Sequence, residues 1–422
     1  LDLDLRELMR AVRQSPEDAV LWVRLSAALE RAGKLDASAE AARVAAAAAP
    51  LDRVVSDRLG TLGLARGPWP DAAGGPSGAG ASPVDGARKG TLVLDEPVAG
   101  AHGAVVVGPD GTAWVRVGSR LVELLLGGTV RRSLGSWSPT VSPVVGPRGG
   151  LVAVCRERGP LVAPPGRVFP VGSRPRRPTL EEGTLDARGE RVFCSWGGVL
   201  RGFPLAQGKY PTKIRHEADG YDTFGPPRPA FAPDGTIFVV EADRRGGLVR
   251  AVHPEDGERW RLKVRSTIPG PATVAFAPPS ALVVRVGDSV QGIDARSGVA
   301  RWYYRTHIAN WFRPPLDGMP APTIARGKVA LVATGWGLSA LDLVSGAEIF
   351  VRRDLATTVP VAVDRGGVAH VAMPGRLLGV GPTGETVYEV GLPTGGRPPG
   401  PPTIGYKGMT YVVGVDAVLG VS

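Results

Sequence analysis

The chain has 422 residues and a formal net charge of +10, too long for one small core and suited to two domains or one large repeat array. Glycine (59) and proline (40) are abundant, yet they punctuate apolar runs in a chain that is 43% hydrophobic, which excludes a disordered polymer. No apolar run reaches the roughly 18 residues of a membrane-spanning helix. The basic residues are scattered without the stripe that tracks phosphates, so no nucleic-acid partner is expected.

Residues 1–67 are predicted to be helical. Leu5, Leu8, Met9 and Val12 recur at helical spacing and give a first helix that ends near Ser15-Pro16. A second helix is expected to start there, with Ser15 as N-cap, Pro16 at the first position and Glu17 and Asp18 in the first turn. It carries Trp22, Leu25 and Leu29 and stops at Gly33. A third helix from about Asp36 presents an alanine face and stops at Pro50, and a fourth with Val54, Val55, Leu59 and Leu62 would cap it.

Trp22, Leu25, Leu29, Gly33, Ala45 and Pro50 resemble the tetratricopeptide pattern. Ala42 stands where that family has a larger aromatic, so loose packing is expected there. The resemblance implies an amphipathic docking unit, with Trp22 as a candidate partner-binding residue. A single repeat is too short for the groove in which longer arrays hold peptides.

Residues 68–89 are dominated by Gly, Pro and Ser and are predicted to be a linker. Strands are expected from Thr91 onward. A turn phrase, clearest as Ala232-Pro-Asp-Gly-Thr-Ile-Phe-Val-Val240, recurs at Gly111, Gly149, Gly189, Gly235, Ser280, Gly327, Gly366 and Gly408. A second series of turn glycines runs beside it, at Gly128, Gly166, Gly208, Gly257, Gly298, Gly346 and Gly384. A period of about 40 residues built of short strands points to a β-propeller with one four-stranded sheet per repeat. The two series predict an eight-bladed β-propeller over residues 90–422. Seven blades is the alternative, should the segment interrupted by Pro164-Pro165 be irregular. The last repeat lacks an outer strand, which residues 91–95 are expected to supply, closing the ring and removing its free edges.

Gly298-Val-Ala-Arg-Trp302, Gly346-Ala-Glu-Ile-Phe350 and Gly384-Glu-Thr-Val-Tyr388 each place an aromatic after the glycine, where it can pack over the neighbouring blade. With the lead-ins Asp294-Ala-Arg-Ser-Gly298 and Asp342-Leu-Val-Ser-Gly346, they resemble the PQQ-like (quinoprotein-type) propeller repeat. That repeat is found in quinoprotein dehydrogenases and in BamB-like outer-membrane assembly propellers. The dehydrogenase branch of the resemblance would imply a quinone on an axial tryptophan, a Ca²⁺ site and adjacent cysteines. Here Cys155 and Cys194 are far apart, and Asn310 is the only asparagine, so no quinone cofactor is expected. The two cysteines are expected as buried thiols, with a disulfide between neighbouring blades left open.

His102, His216, His253, His307 and His370 fall in different repeats without metal-ligand spacing, and no nucleophile elbow, P-loop or zinc-protease motif occurs. No catalytic, metal or cofactor site is therefore expected, and the protein is expected not to be an enzyme. What remains is recognition. Two blade-to-blade connections are over-long and aromatic. One carries Tyr221 and Phe224, the other Trp311, Phe312 and Arg313, and Trp137 sits on an earlier connection. In a propeller these connections emerge on one face, and aromatic and Arg side chains are enriched at interface hot spots. The competing role for these residues is to fold inward and plug the central channel.

The expected function is a non-enzymatic scaffold or adaptor subunit of a bacterial complex. Its partners would be other protein subunits, including a membrane complex approached from its periphery. The alternatives are a ligand or substrate site in the axial channel, and a regulatory subunit of a signalling or defence complex. The resemblance implies the bacterial periplasm or envelope, whereas the acidic first helix, with no leader pattern, points to the cytoplasm.

Overall fold

A computed structural model of the protein describes residues 5–49, 52–62, 80–82, 84–108, 112–124, 130–134, 143–145, 151–155, 159–163, 169–170, 184–185, 191–196, 199–204, 212–215, 229–243, 246–267, 270, 272–306, 320–393, 399–405 and 408–422. Four helices come first: α1 (Leu5–Gln14), α2 (Ala19–Arg31), α3 (Leu35–Ala48) and α4 (Arg53–Thr61). The N-cap of α2 is Asp18, not Ser15. Its carboxylate accepts from the amides of Val20 at 2.9 Å and Leu21 at 3.2 Å, satisfying two N–H groups that the helix start leaves open.

Helices α2 and α3 meet through small residues. Ser26 Oγ donates to the Ser38 carbonyl and Ser38 Oγ to the Ser26 carbonyl, each at 2.8 Å, a reciprocal pair that only short side chains allow. Arg58 from α4 reaches both hydroxyls and the Glu30 carboxylate. Ala42 is 1% exposed, so the looseness expected at that position does not occur. Val55, Leu59 and Leu62 from the last helix and its end fill the space beside it.

The described part of the remaining chain forms eight four-stranded antiparallel sheets, mostly consecutive meanders. They are numbered here 1 to 8 and begin at residues 101, 144, 184, 230, 272, 323, 362 and 403. Sheet 2 pairs in its own right around Pro164-Pro165. The first strands of successive sheets neighbour one another from sheet 4 through sheet 8 to sheets 1 and 2, the arrangement of a β-propeller. Apolar clusters straddle the sheet pairs 4 and 5, 5 and 6, 6 and 7, 7 and 8, and 8 and 1. The rings of Phe238 and Phe276 stack across sheets 4 and 5, 5.6 Å apart.

Burial on both faces explains the unbroken apolar runs. Val329–Thr334, a second strand, is apolar up to its final threonine because each of its faces meets another sheet. The fourth strand Gly257–Arg265 lies at the ring's outer edge and alternates exposed with half-buried residues along most of its length.

Strand Leu92–Pro97 pairs antiparallel with Ala417–Val421 and completes sheet 8. Lys89 and Thr91 donate to the Ser422 carbonyl, and Ser422 donates back to Thr91. Gly90, at φ +64, occupies the place that a turn glycine fills in the other sheets, and a Cβ there would sit 3.0 Å from the Tyr388 ring.

Residues 80–89 correct the linker expectation. Val363 and Ser82 exchange backbone hydrogen bonds with Gly80 and Val363, Val84 is 6% exposed and Ala87 is fully buried. Arg88 pairs with Asp364, and Asp85 with Arg365. Glycine serves close approach here: a Cβ on Gly86 would lie 2.5 Å from His370 Nε2. Gly- and Ser-rich composition by itself does not separate a loose tether from a segment threaded through a tight seam. Residues 68–79 lie outside the described residues.

Candidate functional site

A meander of four strands sends its connections to two opposite ends. The first-to-second and third-to-fourth turns share one end, the turn face. The second-to-third hairpins and the sheet-to-sheet connections share the other, the connection face. The two glycine series of the sequence therefore both fall on the turn face.

That face is held by repetition. Asp294 accepts from the amides of Arg296 and Ser297, each at 3.0 Å, and Asp342 accepts from those of Val344 and Ser345. The Ser345 hydrogen bonds hold the Asp342 carboxyl below the usual carboxylate range. Gly298, Gly346 and Gly384 adopt φ of +73, +72 and +91. Cβ atoms on them would collide with the rings of Trp260, Trp302 and Phe350, each belonging to the preceding sheet. Trp302 Nε1 donates to the Leu343 carbonyl at 2.8 Å and Trp260 Nε1 to the Ala295 carbonyl at 3.0 Å. The aromatic packing over a neighbouring blade is thus observed. Ser280 is not among the left-handed residues, so its turn has no need of glycine.

The same end of the ring seals a polar cluster. His370, fully buried, has Nδ1 2.7 Å from the Tyr388 hydroxyl and Nε2 3.4 Å from Asp364 Oδ2. Burial raises the Asp364 carboxyl, but hydrogen bonds from His370, Arg88 and the Gly86 amide outweigh it and leave the group well below the usual range. Burial pushes the Tyr388 hydroxyl up. These buried groups satisfy one another, with Arg88 at the edge of the cluster partly exposed.

The connection face is built around Arg285 and Asp288, on and beside the hairpin between Ala281–Val286 and Ser289–Asp294. Asp288 gathers two consecutive connections. Its carboxylate accepts from Ser266 Oγ at 2.8 Å, the Thr267 amide at 3.1 Å and Arg305 Nε at 2.8 Å, and its carbonyl accepts from the Thr306 amide at 2.9 Å. Arg285 is 1% exposed, and its Nη1 donates to the carbonyls of Pro320 at 3.1 Å and Ala333 at 2.7 Å. The connection that leaves sheet 5 at Thr306 and enters sheet 6 beyond Pro320 is therefore pinned at both ends. Burial pushes the Arg285 guanidinium down to about 10, with Asp288 opposing. Burial raises the Asp288 carboxyl, while hydrogen bonds from Thr267, Ser266 and Arg305 pull it further down, below its ordinary range.

Ala333 leads into the next hairpin, where Trp336 stands 41% exposed. Thr334 Oγ1 accepts from the Trp336 amide and donates to the Gly337 carbonyl, both at 3.1 Å. Gly337, at φ +147, leaves no room for a side chain: a Cβ would lie 2.6 Å from the Arg352 carbonyl and 3.0 Å from Arg353 Cα. Trp336 is thus displayed on a tightly built hairpin beside Arg353.

Among the sequence-predicted residues, only Trp22 lies within the described part. It is half-buried, its Nε1 donates to the Pro16 carbonyl at 2.8 Å, and its ring packs against apolar clusters shared by α1, α2, α3 and α4. Trp137, Tyr221, Phe224, Trp311, Phe312 and Arg313 lie outside the described residues. The sequence reading passed over Arg285, Asp288 and Trp336. Two of them carried a signal: an arginine inside the apolar run Leu282-Val-Val-Arg-Val286, and a tryptophan between two glycines at a hairpin tip.

Comparison with known proteins places this geometry in a setting. The family described as outer membrane protein assembly factor BamB matches residues 204–356, the stretch that holds sheets 4 to 6. The crystal structure of BamB from Moraxella catarrhalis superposes with a TM-score of 0.53 at 12% identity, covering 78% of this chain and 95% of that one. The C-terminal WD40 domain of Sif2 superposes with a TM-score of 0.59 at 10% identity, covering 80% of this chain and 99% of that one. At these identities the two structures share the propeller fold with this chain. None of the curated proteins matches the chain in sequence.

Proposed function

We propose that the protein is a non-enzymatic interaction scaffold, a subunit that holds protein partners on the connection face of its propeller and through its helical module. The observation that carries this reading is the contrast in use of polar groups. On the turn face His370, Asp364 and Tyr388 are consumed in a sealed seam. On the connection face Asp288 and Arg285 hold Thr306 and Pro320, the described ends of the connection whose sequence carries Trp311, Phe312 and Arg313, and Arg285 also holds Ala333 beside the hairpin of Trp336. Connections held at their ends by a strand scaffold, with aromatic residues in their sequence, are suited to recognition. The sequence match to an outer-membrane assembly factor supports a place in an envelope complex of this kind.

The test is affinity purification of the full chain from its native cell, with mass spectrometry of co-purifying proteins. Stoichiometric partners are expected, and Trp311→Ala/Phe312→Ala is expected to lose at least one while the protein stays folded. Retention of every partner by that double variant removes the connection face from the proposal.

A further inference from the structure

The connection face carries a charge pattern that its partner must match. Among its described residues, Arg305, Arg352 and Arg376 are each committed to a carboxylate, Asp288, Asp354 and Glu389 respectively. Arg353 is exposed and, among the described residues, forms no ion pair. A Cβ on Gly337 would lie 3.0 Å from Arg353 Cα, so Trp336, next in the chain and exposed, and Arg353 occupy neighbouring positions on this face. An exposed tryptophan on a hairpin without freedom to collapse gives an interface side chain whose ordering cost is already met. A free arginine beside it selects charge, because a carboxylate can take its planar fork through two hydrogen bonds.

We propose that Trp336 and Arg353 form the anchor of a docking site for an acidic segment of a protein partner. The proposal rests on the scaffold reading and names the chemistry of what that scaffold holds. A nucleic acid fits the site less well. A phosphate backbone needs a track of free cations, whereas Arg305, Arg352 and Arg376 are paired and Arg265, exposed and unpaired among the described residues, lies two sheets away at the end of the sheet 4 outer strand. The acidic segment would lay an apolar or proline residue on the indole and a Glu or Asp on Arg353. Arg285 acts at one remove, as a positioning residue, since it ties the Trp336 hairpin to the end of the preceding connection.

The experiment places a photo-crosslinking amino acid at position 335, beside Trp336, where an added side chain meets no neighbour, in the full chain in its native cell, and sequences the peptide attached. A second preparation carries the crosslinker at position 311. The expected product at 335 is one protein peptide rich in Glu and Asp. It should be lost with Arg353→Glu and kept with Arg353→Lys. A synthetic copy of that peptide should bind Trp336→Ala about 30-fold more weakly than the parent protein, the loss of one hot-spot side chain. A neutral or basic crosslinked peptide, or a crosslink that survives Arg353→Glu, overturns the proposal. A nuclease-sensitive adduct also overturns it, in favour of nucleic acid. Crosslinks at 311 but none at 335 overturn the docking site and leave the scaffold reading standing. No crosslink at either position, together with no co-purifying partner, removes both.

Discussion

The two faces of the ring use the same materials for opposite ends. On the turn face, charge and aromatic surface are turned inward: Asp294 and Asp342 cap their own turns, and Trp260, Trp302, Phe350 and Tyr388 lie over glycines of the next sheet or of the closing seam. On the connection face, Arg285 and Asp288 are buried to hold loops in place, while Trp336 is left 41% exposed. One face closes the ring and the other presents it. Repetition is therefore a mark of scaffold here, and the departures from it are where recognition is to be sought.

The largest expected effect tests the turn face. Trp302→Ala removes a ring that is 8% exposed together with its hydrogen bond to Leu343, and should cost about 3–5 kcal/mol by denaturant unfolding. Tyr303→Ala, next in sequence but 54% exposed, should stay within about 0.5 kcal/mol. Similar losses for the two would mean that the aromatic overlap is not what joins the sheets.

A smaller effect is expected on the other face. Arg285→Met keeps volume but strands the carbonyls of Pro320 and Ala333, for a loss of about 1–3 kcal/mol. It should also weaken partner binding more than its effect on stability accounts for, because it releases the end of a connection. Binding that tracks stability alone would make Arg285 purely architectural.

The third test is the acid limb of stability. The folded Asp364 carboxyl titrates below its ordinary range, so its contribution is fully present above an unfolded value of about 3.9 and is lost as pH falls through the folded value. Stability measured between neutral pH and strong acid should fall less steeply in Asp364→Asn than in the parent. An unchanged acid slope would show that the seam is held by packing alone.

Much of the scaffold was legible because it depends on local chemistry repeated many times. A left-handed turn demands glycine, a strand buried on both faces demands an unbroken apolar run, and an Asp-x-x-Ser-Gly turn satisfies itself within five residues of Asp294 or Asp342. The helix start at Asp18 was misplaced by three residues because Ser15, Glu17 and Asp18 all suit a capping position, and only the actual path of the backbone chooses among them.

The seam and the connection face were decided by contacts between residues distant in the chain. Gly86 meets His370, Arg88 meets Asp364, and Gly90 takes a turn glycine's place beneath Tyr388. No local pattern distinguishes those glycines from linker glycines, since their meaning lies in what stands opposite. Arg285 likewise takes its meaning from Ala333 and Pro320, whose carbonyls lie within reach of its guanidinium. The sequence by itself determined the repeat, its turns and its aromatic overlaps, because each is a short-range demand on residue type. Only the closed ring decided which glycines pack, which arginines are neutralised and which tryptophan is left facing solvent, because those outcomes depend on neighbours brought from other sheets.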